Sequence, residues 1–244
     1  MNARAAAATA ARVLTQLRRD PRTLALLLVV PCALVTLLKY LFVDRSLVFD
    51  RIGGPLLGLF PFIAMFLVTS ITVLRERTSG TLERLMTLPL AKLDILLGYG
   101  AAFALAATVQ AVLVSFVALT LLDLSVSSPA WVLVFAVANA ILGSALGLFL
   151  SAFARTEFQA VQFMPAVVFP QLLLCGLFVP REEMARALEL VAYALPLTYA
   201  YDALERATTG NGFDASMALD AAVVAGCTAL ALALGALTLR RRTA

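Results

Sequence analysis

Six long apolar runs divide the chain, at residues 23–43, 55–74, 95–122, 131–153, 160–179 and 215–239. Each run has about 20 residues or more, which as a helix rising 1.5 Å per residue crosses roughly 30 Å of hydrocarbon. Six strands would make no closed barrel, and backbone groups in lipid need internal partners, so the runs are predicted to be helices. The run at 95–122 is longer than a bilayer requires and is expected to tilt or to extend beyond it.

Three segments outside these runs have helical patterns of their own. Residues 3–19 predict an amphipathic helix, which either anchors the first span at the membrane interface or supports the loop at 75–94. In that loop, Gly80 is a suitable N-cap and Pro89 a suitable stop for a short helix. The segment at 180–214 has apolar helical patterns too short to span, broken at Pro196, which favours a re-entrant hairpin.

Composition and charge assign the class and the orientation. Hydrophobic residues make up 62% of the chain and charged residues 14%, and the mean hydropathy is +0.95, which is typical of a polytopic membrane protein. With both termini in the cytoplasm, thirteen of the 19 lysines and arginines lie on the cytoplasmic side and five lie outside. This bias predicts that the 75–94 loop is cytoplasmic. The net charge of +4 then reflects topology and requires no nucleic acid.

Several kinds of chemistry are missing from the composition. The chain has no histidine, which removes the commonest general base and the commonest transition-metal ligand. The three cysteines, Cys32, Cys175 and Cys227, fall within apolar runs and are interpreted as small buried side chains, so no metal site and no catalytic residue is predicted. No Gly-Lys dipeptide occurs, so the chain lacks a phosphate-binding loop of the usual kind and is expected to obtain its energy from a partner.

Polar side chains within the apolar runs are candidates for contacts between helices or along a transport route. Gln110, Asn139 and Gln162 suit hydrogen bonds between helices, and Gln171 lies in the same proline-containing run as Gln162. No set of buried carboxylates that could relay protons is visible, which argues against a secondary transporter.

The charged loop resembles the cytoplasmic loop of type-2 ATP-binding cassette (ABC-2) permeases over residues 75–90, which read Arg-Glu-Arg-Thr-Ser-Gly-Thr-Leu-Glu-Arg-Leu-Met-Thr-Leu-Pro-Leu. Residues 175–180 (Cys-Gly-Leu-Phe-Val-Pro) and 195–200 (Leu-Pro-Leu-Thr-Tyr-Ala) are similar to that family's region between spans five and six. The resemblance covers essentially the whole chain and is nearest to the drug- and lipid-export branch similar to daunorubicin permeases.

The predicted fold is a single all-α integral membrane domain over residues 1–244. It has six transmembrane helices, an N-terminal amphipathic interfacial helix (3–19), a cytoplasmic coupling helix within 75–94, and an extracellular re-entrant hairpin (180–214) between spans five and six. The resemblance implies that residues 76–88 form the coupling helix, which docks on a separate cytoplasmic ABC ATPase subunit. The residues expected at this contact are Glu76, Arg77, Thr81, Leu82, Glu83, Arg84, Leu85 and Met86.

The resemblance also implies two permease chains per transporter, as a homodimer or a heterodimer surrounded by membrane lipid. Mg-ATP is expected on the partner ATPase, with no cofactor on this chain, which is not itself expected to be an enzyme. Residues expected along the route or at the interface between permease chains are Phe60, Phe62, Gln110, Asn139, Gln162, Phe163 and Gln171.

The expected function is that of a permease subunit in an ATP-driven exporter that moves a hydrophobic or amphiphilic small molecule or lipid across a bacterial plasma membrane. A polysaccharide or glycolipid exporter would share this architecture. A membrane assembly protein unrelated to ABC transporters and a secondary transporter are the further alternatives. Co-purification with an ATPase and ATP-dependent flux would separate these alternatives.

Overall fold

The computed structural model describes residues 3–87, 92–210 and 212–238, and these residues contain helices and no strand. The α-helices are α1 (Ala3–Arg19), α2 (Pro21–Leu41), α3 (Ser46–Thr78), α4 (Thr81–Thr87), α5 (Lys92–Phe116), α6 (Pro129–Leu150), α7 (Glu157–Phe163), α8 (Phe169–Leu174), α9 (Arg186–Tyr193), α10 (Pro196–Thr209) and α11 (Ala215–Thr238). A π-helical turn extends α5 (Val117–Leu121), another joins α7 to α8 (Met164–Val168), and a 3₁₀ turn precedes α9 (Arg181–Glu183).

Among the described residues, five helices are long and apolar enough to cross a membrane: α2, α3, α5 with its π-helical turn, α6 and α11. They correspond to five of the six predicted spans, and the all-α membrane fold is confirmed. The predicted fifth span at 160–179 contains α7, its π-helical turn and α8, which follow one another without a break from Glu157 to Leu174. The count of six spans stays a prediction.

The longest helix, α3, begins earlier than the sequence predicted. It starts at Ser46 rather than at residue 55 and includes Pro55 within it. The Gly53-Gly54-Pro55 sequence indicates a break, because proline lacks an N–H donor and glycine disfavours helix. Tertiary packing overrides that local signal: a Cβ at Gly54 would overlap the side chain of Thr208, so the glycine is needed for close packing inside the helix.

The centre of the bundle is the contact between α3 and α6, which is the most extensive contact between two helices in the described part of the chain. A Cβ at Gly143 would overlap the carbonyl oxygen of Phe62, and one at Gly147 would overlap that of Phe66. From the first contact to the second, the position increases by four residues in α6 and also by four in α3. The two helices therefore run parallel, and successive turns of one face successive turns of the other. Small residues at this spacing allow the two backbones to touch, as in close-packed membrane helices.

Residues 180–214 fold as a 3₁₀ turn, α9 and α10, and α10 lies within the bundle against α3, α6 and α11. The N–H groups of Ser127 and Ser128 donate to the carbonyls of Thr208 and Ala207 at 2.9 and 3.1 Å, which fixes the end of α10 beside the start of α6. The break between α9 and α10 falls at Leu195, as Pro196 indicates. The depth of this segment in a membrane stays a prediction, and residue 211 lies outside the described residues.

The helices differ greatly in how much of their apolar surface the chain itself covers. In α3 and α6 61% of the most apolar stretch is buried, whereas in α2 and α11 the share is 17%. Apolar side chains that remain exposed on a spanning helix require lipid or another protein chain as a neighbour. The flanks of the bundle at α2 and α11 are therefore surfaces for such neighbours.

Candidate coupling site

A two-residue turn, Ser79 and Gly80, separates α3 from α4. α3 ends at Thr78, and Gly80 has a φ of +73°, a left-handed conformation that glycine adopts without strain. The Gly80 carbonyl accepts the first backbone hydrogen bond of α4, from the Arg84 N–H at 3.1 Å, as an N-cap residue does. The predicted coupling helix at 76–88 is thus divided: residues 76–78 continue α3, 81–87 form α4, and residue 88 lies outside the described residues.

α4 places its apolar face on the bundle and leaves its polar face exposed. Leu82 is 4% exposed and Leu85 packs half-buried against the same core. Arg84 and Thr87 are exposed, and Thr81 is half-buried with its hydroxyl near that of Ser79. The backbones of Glu83 and Met86 are helical, but their side chains lie outside the described part of the structure.

Directly before α4, the last turn of α3 carries Arg75, Glu76 and Arg77, which we call the α3 tripeptide. The Glu76 carboxylate is buried and accepts two hydrogen bonds from the Arg12 guanidinium of α1, at 2.9 and 2.8 Å. The Tyr99 hydroxyl of α5 contacts Glu76, and Arg12 also donates to Tyr99 at 2.7 Å. One carboxylate therefore joins α1, α3 and α5.

The two arginines of the α3 tripeptide contact three further helices. Arg75 donates to Glu157, the first residue of α7, at 2.7 and 3.0 Å, and lies 4.0 Å from Asp20 at the start of α2. Arg77 donates to the carbonyl of Ser151, just after α6, at 2.6 Å. The hydrogen bonds from Arg75 lower the pKa of the exposed Glu157 carboxyl.

The α3 tripeptide thus contacts α1, α2, α5, α6 and α7, and we call this side of the molecule the α4 end. Glu76 and Arg77 were expected to face the ATPase directly. They lie instead in α3, with Glu76 buried and Arg77 half-buried, because both side chains bond to neighbouring helices. Leu82, which was also expected at the ATPase contact, is buried against the bundle, so the surface left for a direct contact is the exposed face of α4.

The N-terminal helix α1 packs on the protein with its apolar face. Val13 and Leu17 are buried in the core, and Gly98 of α5 leaves room for Ala6 and Thr9 of α1. Burial alone would lower the pKa of the Arg12 guanidinium on this helix, but its bonds to Glu76 and Tyr99 outweigh burial and raise it. Of the two sequence interpretations of α1, this packing favours the helix that supports the loop.

The predicted route residues have different surroundings within the chain. Phe62 is buried in an apolar cluster to which Phe60 and Phe163 also contribute. Gln110, by contrast, donates across to the Leu27 carbonyl of α2 at 2.9 Å, as an interhelical glutamine does.

The remaining three route residues differ in burial and in hydrogen bonding. Asn139 is fully buried beside Gly58, and neither of its amide atoms has a hydrogen-bond partner among the residues that the structure describes. Gln171 is buried and donates to the Val167 carbonyl at 3.0 Å, one turn back on its own helix. Gln162 is exposed on α7, so the chain leaves it available to a neighbour.

At the opposite end of the molecule, the α10 end, a cleft of about 690 Å³ opens between the start of α3, the segment after α8, and α10. Its floor contains Arg181, which donates to both carboxylate oxygens of Asp202 at 2.7 and 2.9 Å. Burial alone would lower the pKa of Arg181, but the bonds and charge of Asp202 outweigh it and raise the pKa. The remaining lining mixes apolar and charged side chains: Leu47, Val48, Arg51, Ile52, Gly176, Leu177, Phe178, Pro180, Glu182, Tyr201 and Glu205.

Comparison with known proteins decides the family. The family model of the ABC-2 type transporter matches residues 5–207. This chain belongs to the ABC-2 type transporter family. The probable multidrug ABC transporter permease YbhR of Escherichia coli strain K12 is 28% identical over 150 residues, which cover 60% of this chain and 40% of YbhR. The ABC transporter G family member 20 of Dictyostelium discoideum is 26% identical over 156 residues, which cover 64% of this chain and 21% of that protein.

Membership in the ABC-2 type family makes the chain a multi-pass membrane protein of an ABC transporter, and this part of the sequence interpretation is confirmed. The matched region begins in α1 and extends into α10, so it contains α4, the α3 tripeptide and all helices that the tripeptide contacts. The chain spans less than half the length of the two relatives.

Sequence reasoning about this ABC-2 protein missed the partners of the loop. Arg12 was grouped with the polar face of α1, and Tyr99 lies inside an apolar run, so neither stood out. One signal was available: Glu76 is the only acid between Asp50 and Glu83 and directly follows a predicted span, where a carboxylate that becomes buried requires a cation nearby. Only the fold identifies that cation as Arg12, 64 positions away in the chain.

Proposed function

We propose that this chain is the permease subunit of an ATP-driven exporter, and that movement of a docked ATPase enters the membrane part through α4 and the α3 tripeptide. The observation that carries this proposal is the geometry of Arg75, Glu76 and Arg77, which together contact five other helices immediately behind α4. Only two residues, Ser79 and Gly80, connect α4 to the end of α3 along the chain, so a displacement of α4 would act on α3 directly.

The contacts of the α3 tripeptide differ in strength. The helices with the strongest contacts would follow a movement of α3 most closely. The Arg12–Glu76 pair is largely shielded from water, with 28% and 7% of the two side chains exposed, so breaking it leaves a poorly solvated charge. The Arg75–Glu157 pair is about half exposed on both sides and contributes much less. α1 and α5 are therefore held firmly to α3, whereas α7 is held loosely.

The packing of α3 supports a rigid-body response to such a displacement. Because Gly143 and Gly147 bring the backbones of α3 and α6 into contact, the two helices cannot easily separate or repack side chains between them. A push on the end of α3 would then tilt α3 and α6 together, which is one of the known forms of transition between states. α2 and α11, which are only 17% buried, would adjust at the lipid or at a second chain.

The route and the substrate are part of the same proposal. The cleft at the α10 end has a volume in the range of small-molecule sites, and it combines apolar walls with a few charged groups, which suits an amphiphilic solute. The Escherichia coli relative is named a probable multidrug permease, which agrees with such a substrate class. We place the α4 end in the cytoplasm of a bacterial cell because of the positive-inside bias.

Site-specific photocrosslinking in native membranes tests the docking surface. A photoreactive amino acid is placed at Arg84 or at Thr87, which are exposed among the side chains of α4 that the structure describes, with Arg45 at the far end as the matched control. We expect Arg84 and Thr87 to capture one chain, which mass spectrometry identifies by a Gly-x-x-x-x-Gly-Lys-Ser/Thr phosphate-binding loop. Capture of that chain from Arg45 alone, or from no position, contradicts the proposal.

A further inference from the structure

The corner between α1 and α2 carries an unusual concentration of exposed arginine. Arg18, Arg19 and Arg22 are all exposed, and they occupy three of five consecutive positions around the corner. Asp20 is the one acidic residue in the first 43 positions of the sequence. The corner is therefore a compact, positively charged surface.

The single aspartate at this corner is occupied by backbone capping. Its two carboxylate oxygens accept hydrogen bonds from the N–H of Thr23 at 3.2 Å and from the Thr23 hydroxyl at 2.6 Å. Its nearest cation is Arg75, at 4.0 Å. These contacts direct Asp20 toward α2 and α3, so Arg18, Arg19 and Arg22 keep their charge available to an external partner.

The corner also lies where a membrane surface must be. α2 is one of the five helices able to span a bilayer, and it begins at Pro21, next to Arg22. Its apolar side chains are exposed from the first turns onward: Leu26 is 63% exposed and Val29 60%. Leu26 is four residues after Arg22, or roughly 6 Å along the helix axis. The arginines thus stand at the level where the acyl chains that cover Leu26 meet their headgroups.

We propose that Arg18, Arg19 and Arg22 form a binding surface for the phosphate headgroups of anionic phospholipids in the leaflet at the α4 end. Guanidinium groups bind phosphate oxygens in a forked geometry, and clusters of basic residues beside a membrane span attract anionic lipid. The headgroups would hold the C-terminal end of α1 against the membrane, while Arg12 holds the middle of the same helix to Glu76.

The test measures lipid binding by the purified full-length chain in nanodiscs, which contain phosphatidylcholine with or without phosphatidylglycerol. Native mass spectrometry counts the phosphatidylglycerol that remains bound, and hydrogen exchange reports the protection of residues 3–19. The test variant is Arg18→Gln/Arg19→Gln/Arg22→Gln. The control, Arg45→Gln/Arg186→Gln, removes two exposed arginines from the α10 end that do not line the cleft there. A third variant, Arg18→Lys/Arg19→Lys/Arg22→Lys, keeps the charge that sets topology.

We expect the wild type and the control to retain phosphatidylglycerol. The affinity of the glutamine variant for this lipid should be lower by a factor of more than about ten. The lysine variant should bind with reduced affinity, because lysine keeps the charge but not the fork. Phosphatidylglycerol should also protect α1 from exchange in the wild type and not in the glutamine variant.

Several results would overturn this proposal. Equal binding by the glutamine variant and the wild type removes the site, and equal loss in the control shows that net charge alone matters. If inorganic phosphate protects α1 as well as phosphatidylglycerol does, the site takes a free anion. If the glutamine variant fails to insert into the membrane, the salt dependence of the wild type serves as the test. Phosphatidylglycerol binding must weaken between about 0.05 M and about 0.5 M salt, because salt screens exposed charges, and unchanged binding would overturn the proposal.

Discussion

At the scale of single residues, the buried charge of Glu76 distinguishes the α3 tripeptide from an ordinary charged loop. Glu76→Ala leaves Arg12 without its main partner at a site that is largely closed to water. We expect a loss of about 3 kcal/mol in the free energy of unfolding. Thermal unfolding in detergent, followed by fluorescence of the only tryptophan, Trp131, measures this loss as a fall in Tm.

The neighbouring residue Arg75 provides the matched comparison. Its pair with Glu157 is about half exposed on both sides, so Arg75→Gln should cost less than about 1 kcal/mol. The two substitutions each remove one charge from the same turn of α3. Equal falls in Tm for Glu76→Ala and Arg75→Gln would show that burial of the Glu76 pair has no energetic consequence.

The residue scale is also where sequence reasoning reached its limit. The spacing of Leu82 and Leu85 indicates one apolar face of the loop helix, because a period of 3.6 residues is visible in the sequence. The sequence did not reveal that this face packs on the bundle, since both residues were expected at the ATPase contact. The partner of Glu76 was not visible, since Arg12 and Tyr99 come from two other helices. Hydrogen bonds between distant side chains depend on tertiary packing, which no local pattern contains.

At the scale of helices, Gly80 is the point where α3 and α4 separate. Its φ of +73° is left-handed, and nothing lies within 4 Å of the position that a Cβ would occupy. Gly80→Ala should therefore cost about 1–2 kcal/mol through the backbone alone. Gly80→Asn should cost less, because asparagine tolerates this conformation. Hydrogen exchange of residues 81–87 measures fraying of α4. Equal exchange in the two variants would contradict the argument that the left-handed backbone at position 80 strains an alanine more than an asparagine.

The parallel contact of α3 with α6 gives a second prediction for this scale. In Gly143→Ala the new Cβ meets the Phe62 carbonyl, and overpacking of this kind typically costs about 1–3 kcal/mol. Gly226→Ala on α11 is the control, because nothing lies within 4 Å of its Cβ position and alanine favours helix. Tm should fall in the first variant and hold or rise in the second. A fall in Gly226→Ala as large as that in Gly143→Ala would contradict the proposed backbone contact.

Apolar run length predicted the five spanning helices, and proline signals predicted the break before α10. Run length did not predict the first turns of α3, where Gly53, Gly54 and Pro55 indicate a loop. Those residues are helical because α10 and the segment before α6 pack closely against them, and that packing exists only in the folded bundle.

At the scale of the whole molecule, the exposed side of α7 is expected to meet a second permease chain. In a background without Cys32, Cys175 and Cys227, Gln162→Cys should form crosslinks between chains in native membranes, because Gln162 is exposed. Ala160→Cys, two positions away, is the control because Ala160 is fully buried. Absence of crosslinks at Gln162, or equal crosslinking at Ala160, argues against a permease dimer at this surface.

The measurement that tests the central claim most directly is the response of the α10-end cleft to ATP. Spin labels on Leu47→Cys and Phe178→Cys, both exposed at the cleft, report its width by double electron–electron resonance, with the chain bound to its ATPase. We predict that trapping the ATPase with ATP and vanadate shifts this distance in the wild type and in Arg75→Gln. In Glu76→Gln the shift should disappear although the ATPase still binds. An unchanged ATP-dependent shift in Glu76→Gln would contradict the proposal that movement passes through the α3 tripeptide.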